Sequence, residues 1–412
     1  MLIISGDDMF VEIKPSKPKG IVKAPPSKSM AHRLLICAGL SEGESVIENI
    51  AYSEDILATI DCLETLGARI KKDGSTVYVK GVDPKCFPGG TFPCRESGST
   101  LRFFIPIAML SEAEALFTGC GRLMQRPMEI YEKLAAKKGL FYSKTDEGIR
   151  LSGALTGGEF SLRGDISSQF ISGLLFALPL AEKDSRIILT GKTESVGYID
   201  MTVDALRKFG IEIKKENNNE YYIKGSQKYK AGHFTVEGDC SNAAFLEAFN
   251  ILGAELEIEG LAENTLQGDS IYKNYFSLIK EGTPTLDVSQ CPDLAPVLMT
   301  VAAELNGATL KGTRRLKIKE SDRGEVMKQE LSKFGAVIEN DEDEIRIFKS
   351  VLKTPTDTLK GHNDHRVVMS LVVLASLYGG AIDESQAVKK SYPDFFEVMK
   401  NAGLEVTEYG NQ

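Results

Sequence analysis

A helix end, a glycine and a β-hairpin recur along this chain, and that repetition limits what it can fold into more than composition does. The clear copies read "LETLGARIKKDGSTVYVKG", "EKLAAKKGLFYSKTDEGIRLSG", "ALRKFGIEIKKENNNEYYIKG" and "LSKFGAVIENDEDEIRIFK". A truncated copy, "VMKNAGLEVTEYG", ends the series, and "FSLIKEGTPTLDVS" is a degraded one. Their glycines are 67, 139, 210, 282, 335 and 403, at spacings of 72, 71, 72, 53 and 68. Glycine is expected there because it takes the left-handed conformation that ends a helix at little cost. Units of this length are too long for a solenoid and large enough for a small α/β subdomain.

A second helix precedes each marked one, with starts near Lys28, Ser99, Ser168, Ser241, Pro292 and His365. Each unit therefore reads strand, helix, strand, helix, strand, strand, which is an α/β chain. The polar stretch "GSQKYKAG" at 225–232 separates three units from three. Two domains of similar build are expected, 15–227 and 1–14 plus 228–412, with a first strand near 9–14 crossing to the second. The fourth unit is short around 276–290, so its hairpin is expected to be rebuilt or partly lost.

With 412 residues, 42% of them hydrophobic, the chain can fill more than one core. A net charge of −9 argues against a nucleic-acid partner. The seven cysteines include no CxxC pair and suggest neither zinc nor a disulfide framework, so a reducing, cytoplasmic setting is expected. The opening "MLIISGDDMF" carries acid where a signal peptide needs base. "FISGLLFALPLA" and "VVMSLVVLASLYGGA" fall short of the roughly 20 residues that span a bilayer, so both are read as buried helices rather than membrane segments.

Positive charge gathers where helices begin. Lys28 and Arg33 follow "APPS", Arg102 follows "ESGST", and Arg126 precedes Pro127. Lys319 and Arg323 flank "ES", Arg366 follows Asp364, and Lys390 precedes "SYP". A cation there opposes the helix dipole by about 0.3–1 kcal/mol. One such site is unremarkable, since a mobile surface lysine explains it. Six imply an anion, because backbone N–H groups, dipole and cation then act together. The expected ligands are small, multiply charged phosphates or carboxylates in a cleft between two domains. Two acids lie among these cations: Asp293 in "CPDLAP" and Glu320 in "KESDR". Locally they read as a helix-start carboxylate and an ion-pair partner; beside bound substrate they could also move protons.

Other motifs carry less. Gly191-Lys192-Thr193 lacks the earlier P-loop glycine, since Arg186 stands there. His362 and His365 in "HNDH" have no evident third metal ligand, so a structural or capping role is favoured. "ENDEDE" at 339–344 reads as a solvated hairpin turn. No dinucleotide fingerprint follows a strand.

"PPSKSMAHR", "SGSTLR", "QRPM", "SSQF", "SVGYIDMT", "PDLAP", "KESDR", "NDHR" and "KKSYPDFF" occur in an order that resembles the 5-enolpyruvylshikimate-3-phosphate synthase family, over roughly residues 10–403. The resemblance implies two inside-out domains, each of three βαβαββ units about a pseudo-threefold axis, with the active site in the cleft between them. It implies transfer of the enolpyruvyl group of phosphoenolpyruvate to the 5-hydroxyl of shikimate-3-phosphate, releasing phosphate by addition and elimination, on the route to aromatic amino acids. By the same resemblance Lys28 touches both substrates. Ser29, Arg33, Ser167, Ser168, Ser195 and Lys319 hold shikimate-3-phosphate, with Tyr198 packed nearby and Gln169 bridging. Gly98, Arg126, Arg323, Arg366 and Lys390 face phosphoenolpyruvate. Asp293 resembles the base for the 5-hydroxyl, and Glu320 the acid that protonates the enol methylene. No metal or other cofactor is expected, and a monomer is the default.

Gly98 matches a position where a side chain would crowd glyphosate, so sensitivity to that inhibitor is expected. The family often carries Asn where this chain has Glu96, which is expected to turn away or pair with a nearby arginine. Two readings compete: a UDP-N-acetylglucosamine enolpyruvyl transferase relying on Cys120, and a non-catalytic anion binder, which would have no need of Asp293 and Glu320.

Overall fold

Seven of the twelve α-helices among the described residues start on a short polar side-chain cap, and the two halves use different ones. In the computed structural model, which describes residues 9–217 and 219–410, the side chains of Ser27, Ser53, Ser97 and Ser167 cap α1 (Lys28–Gly39), α2 (Glu54–Leu66), α3 (Gly98–Ala108) and α5 (Ser168–Ala177). Here α4 is Glu129–Lys138 and α6 is Val196–Lys208. Aspartates cap three later helices: Asp239 for α7 (Cys240–Ile251), Asp322 for α10 (Arg323–Lys333) and Asp364 for α11 (His365–Tyr378). The remaining helices are α8 (Tyr272–Glu281), α9 (Ala295–Glu304) and α12 (Phe395–Asn401). The signal-peptide reading falls largely on residues 1–8, outside those described.

The chain forms two compact units, Pro26–Glu237 and the segments on either side of it. In the first, three four-stranded sheets share one order. Gly158–Arg163 runs parallel to Ser185–Thr190, which pairs antiparallel with Glu220–Ile223, itself paired with Ile213–Asn217. The other two sheets repeat this around Ala115–Thr118 and Glu44–Glu48. Helices α3 and α5 are apolar on nearly every side and are buried along their length. They approach closely at Gly173, where a Cβ would run into the Arg102 carbonyl and the Tyr131 hydroxyl.

The second unit repeats the plan with one defect. Thr285–Asp287 and Leu359–Lys360 begin two more four-stranded sheets of the same order. In the last of these the missing hairpin strand is Phe10–Ile13, paired between Gly380–Asp383 and Val406–Tyr409, as expected for the first strand of the chain. The fourth unit keeps two strands, Lys19–Lys23 and Glu255–Glu259, so its hairpin is lost. Buried helices α7, α9 and α11 pack on one another. The two apolar stretches singled out as buried helices are α5 and α11, and no helix among the described residues is long and apolar enough to cross a membrane.

The division between units lies ten or so residues from the expected one. Residues 15–25 belong with the second unit because Lys19–Lys23 pairs with Glu255–Glu259. Residues 228–237 belong with the first because His233–Thr235 pairs with Val46–Glu48. Each of these strands leads directly into a helix of the other unit, which no local pattern reveals.

Gly67, Gly139, Gly210, Gly335 and Gly403 have φ between 70° and 110° and end their helices as expected. Gly282 does not: it is extended at φ 177°, consistent with the absence of a hairpin after it. Nothing lies within 4 Å of a Cβ at Gly139 or Gly282, so a substitution at either probes backbone conformation alone. Gly139→Ala should cost about 1 kcal/mol in urea unfolding. Gly282→Ala should stay within about 0.5 kcal/mol of the parent.

Candidate active site

The cations at helix starts are held by the protein's own groups, differently in each unit. In the first unit Lys28, the first residue of α1, pairs with Asp55 of α2 at 2.7 Å. The Asp55 carbonyl accepts from Thr100, whose hydroxyl also bonds Ser97, the α3 cap, at 2.8 Å. Thr59 joins Thr100 to His32 through contacts of 2.8 and 2.7 Å. Burial pushes the His32 imidazole down to about 3, so it is neutral in this network. Lys28 is thereby tied to the N-terminus of α3.

Arg33 lies one turn inside α1 and is buried. Its guanidinium donates to the Ser29 carbonyl at 2.6 Å, the Tyr198 carbonyl at 2.8 Å and the Thr202 hydroxyl at 2.8 Å. The rings of Phe103 and Tyr198 stand 5.5 and 5.9 Å from it. Burial lowers its pKa to about 10, so it remains charged at neutral pH. Arg102 donates to Gln169 Oε1 at 2.6 Å, and Gln169 Nε2 donates to Ser99 at 2.8 Å. Gln169 N–H is capped by Ser167, with Ser168 between them at the start of α5. A Cβ on Gly98 would overlap Arg126 Nη1 and meet Arg102 Nη1 at 3.4 Å, so this glycine leaves room for two guanidinium groups. Ser195 occupies the residue before α6 in a left-handed conformation, φ 56° and ψ 42°, uncommon for a residue with a side chain. Glu96 turns toward the Cys120-Gly121 loop, where a Cβ on Gly121 would overlap its carboxylate.

In the second unit Asp293 is the centre. Its Oδ1 accepts from Arg323 at 2.7 Å and Lys319 at 3.0 Å, and its Oδ2 from Arg366 at 3.1 Å. Arg323, 1% exposed, also bonds Glu320 at 2.7 Å and Asp364 at 2.9 Å. Asp364 in turn caps α11 and accepts from Ser321 at 3.0 Å. Lys390 donates to the carbonyl of Asn363, beside Asp364, at 2.7 Å. Burial pushes the Asp293 carboxyl up, but Arg366, Lys319 and Arg323 outweigh it and hold it well below the usual carboxylate range. Burial lowers Lys319 although Asp293 opposes the shift.

The residues expected from the sequence thus assemble within their own units: Lys28, Ser29, Arg33, Gly98, Arg126, Ser167, Ser168, Gln169, Ser195 and Tyr198 in the first, and Asp293, Lys319, Glu320, Arg323, Arg366 and Lys390 in the second. Sequence reasoning missed Asp55 and Asp269 and placed Asp364 only within a motif read as structural or capping. The first two lie in helical turns with no local sign of a charged partner. His362 bonds Glu330 at 3.0 Å, and no group of three metal-ligating side chains stands out among the described residues.

Asp269 bonds the Ser241 hydroxyl near the start of α7. Burial first, and Asp293 second, push its carboxyl up to about 6. Between about 3.9 and 6 the folded state then binds more protons than the unfolded one. The stability this contributes is complete below that window and lost as pH rises through it. Asp269→Asn stays neutral throughout, so its melting temperature should gain on the parent's from about pH 4 to pH 6. The opposing contribution of His32 is present in both proteins and cancels. A pH-independent offset would contradict the assignment.

The sequence profile of the EPSP synthase (3-phosphoshikimate 1-carboxyvinyltransferase) family matches residues 13–399. A 3-phosphoshikimate 1-carboxyvinyltransferase of Clostridium perfringens is 44% identical, over 95% of this chain and 98% of its own. One from Clostridium acetobutylicum is 42% identical, over 97% and 98%. A solved structure of EPSP synthase from Acinetobacter baumannii shares the fold, with a TM-score of 0.78 over 97% of this chain and 100% of its own, at 24% identity. With residues 13–399 matched by the family profile and relatives at 44% and 42% identity covering nearly the whole length, this chain belongs to the EPSP synthase family.

Proposed function

We propose that the enolpyruvyl transfer carried out by this family, from phosphoenolpyruvate to shikimate-3-phosphate on the route to aromatic amino acids, proceeds in this chain by addition and elimination, with Asp293 and Glu320 moving the protons. The observation that carries this reading is a carboxylate held among three cations. Beyond helping to compensate the buried Arg323, Asp293 would serve no purpose in a protein that only bound anions.

Phosphoenolpyruvate becomes an electrophile when its methylene carbon is protonated, and Glu320 supplies that proton. The 5-hydroxyl then attacks, and Asp293 accepts its proton. The tetrahedral adduct expels phosphate while its new methyl group returns a proton to the Glu320 carboxylate, which restores the methylene, and fixed guanidinium and ammonium groups meet the charge of the leaving phosphate. In the free protein Asp293 is a weak base, because Arg366, Lys319 and Arg323 stabilise its anion. Anionic substrates draw on the same cations. Binding them therefore weakens that stabilisation and raises the basicity of Asp293 when a proton must be accepted.

Lys28, Ser29, Arg33, Ser167, Ser168, Gln169, Ser195, Tyr198 and Lys319 serve shikimate-3-phosphate. Lys28, Gly98, Arg126, Gln169, Arg323, Arg366 and Lys390 serve phosphoenolpyruvate. Both sets act on one pair of substrates. The reading extends to a cytoplasmic monomer; the seven cysteines are all free thiols, which fits a reducing compartment.

Phosphate release from phosphoenolpyruvate should require shikimate-3-phosphate and should not occur with UDP-N-acetylglucosamine. Asp293→Asn should lower kcat by about 10²–10⁴-fold, the usual contribution of proton transfer, without raising KM for shikimate-3-phosphate, since it removes a negative charge from an anion site. Equal loss of binding and turnover would show that Asp293 only positions its cations. Gly98→Ala should raise both the inhibition constant of glyphosate and KM for phosphoenolpyruvate in steady-state assays, because its methyl displaces Arg126. If glyphosate at micromolar to low-millimolar concentration leaves the parent unaffected at modest phosphoenolpyruvate, the placement of Gly98 is wrong.

A further inference from the structure

A cavity of about 360 Å3 opens between α4, the start of α5 and the strand Gly158–Arg163, all within the first unit. Its floor is apolar, made by Leu134, Phe160, Leu162 and Phe170, each at most 9% exposed. Its rim is charged. Lys133 and Lys137 stand one turn apart on the outer side of α4 and have no ion-pair partner among the described residues. Lys138 is already committed, donating to the Gly157 carbonyl at 2.8 Å with its ammonium 4.2 Å from the centre of the Phe160 ring. Arg163 is committed to Asp165. Glu129 and Glu159 occupy the same rim.

We propose that this cavity is a second small-molecule site, for a ring or branched apolar body carrying one carboxylate. The volume lies in the range of small-ligand pockets, and the apolar floor supplies the burial on which such binding rests. The lysine pair on α4 receives one negative charge. The two glutamates disfavour a second, which separates this ligand from the multiply charged substrates of the anion site.

The cavity shares a wall with that site. Phe170 lines it and also lies beneath the Arg102 guanidinium, 5.0 Å from the ring centre. Pro127 lines it and follows Arg126 directly. Tyr131, on the inner side of α4, donates to the Arg102 carbonyl at 2.6 Å. A ligand that spreads α4 from α5 therefore displaces Arg126 and Arg102 together and weakens phosphoenolpyruvate binding without excluding it. By linkage phosphoenolpyruvate weakens the ligand by the same factor.

Phenylacetate is a suitable probe, titrated calorimetrically into the full chain with phenylacetamide as the uncharged control. One saturable site is expected, at least tenfold weaker for the amide and in the double variant Lys133→Glu/Lys137→Glu. Both substituted positions are exposed, and the variant should keep the parent's affinity for shikimate-3-phosphate, which shows that it is folded. Saturating shikimate-3-phosphate should leave phenylacetate binding in place. No saturation at millimolar phenylacetate, equal binding by the double variant, or full displacement by shikimate-3-phosphate would each overturn the proposal. None of these readouts depends on turnover, so the transferase reading stands or falls separately.

Discussion

A guanidinium group that is 1% exposed cannot remain charged inside a protein without partners, and Arg323 has three carboxylates. Removing one partner from such a group typically costs about 3–5 kcal/mol, because a charge is left uncompensated in a poor solvent for it. Those carboxylates come from distant parts of the second unit: Asp293 just before α9, Glu320 just before α10, and Asp364 at the cap of α11. One buried charge therefore fixes the start of three helices relative to one another. The geometry also sets the chemistry, since Asp293 shares its oxygens between Arg323, Lys319 and Arg366.

The first unit meets the same constraint with different groups. Lys28 has a carboxylate partner in Asp55, but Arg33 is held by two carbonyls, a hydroxyl and two aromatic faces. Neutral acceptors leave its positive charge undiminished for a ligand. Arg102 likewise donates to the neutral amide of Gln169. The first unit thus seats Arg33 and Arg102 on neutral acceptors, and the second supplies cations already shared with carboxylates. That division matches the roles proposed for them, with acid–base groups only in the second.

Much of the site was legible before the fold. The anomaly of positive charge at helix starts marked Lys28, Arg33, Arg126, Lys319, Arg323, Arg366 and Lys390, because a local electrostatic cost is visible in a local pattern. The inference drawn from it, that an anion must offset that cost, was incomplete. Asp55, Asp293, Glu320 and Asp364 provide part of the offset in the protein itself. Asp55 lies 27 residues from Lys28 and Asp364 lies 41 from Arg323, and no periodicity connects residues that far apart. For Glu96 the sequence offered turning away or pairing with an arginine, but not the direction it takes, toward the space left by Gly121 across a turn.

The sequence by itself determined the six-unit count, the helix–glycine–hairpin plan, the helix-ending glycines apart from Gly282, and the charged residues at the starts of α1, α3, α10 and α11, whereas Arg126 stands three residues before α4 and Lys390 ends a short 3-10 turn ahead of α12. These follow from short-range rules: hydrophobic period, capping chemistry and the conformational freedom of glycine. The tertiary structure alone decided which strand completes which sheet, so that Lys19–Lys23 and His233–Thr235 each pair outside the unit whose helix they precede. It alone also decided which carboxylate meets which cation. Strand pairing and the burial of charge are settled by contacts between segments far apart in the chain, and their free energy appears only once those segments have packed.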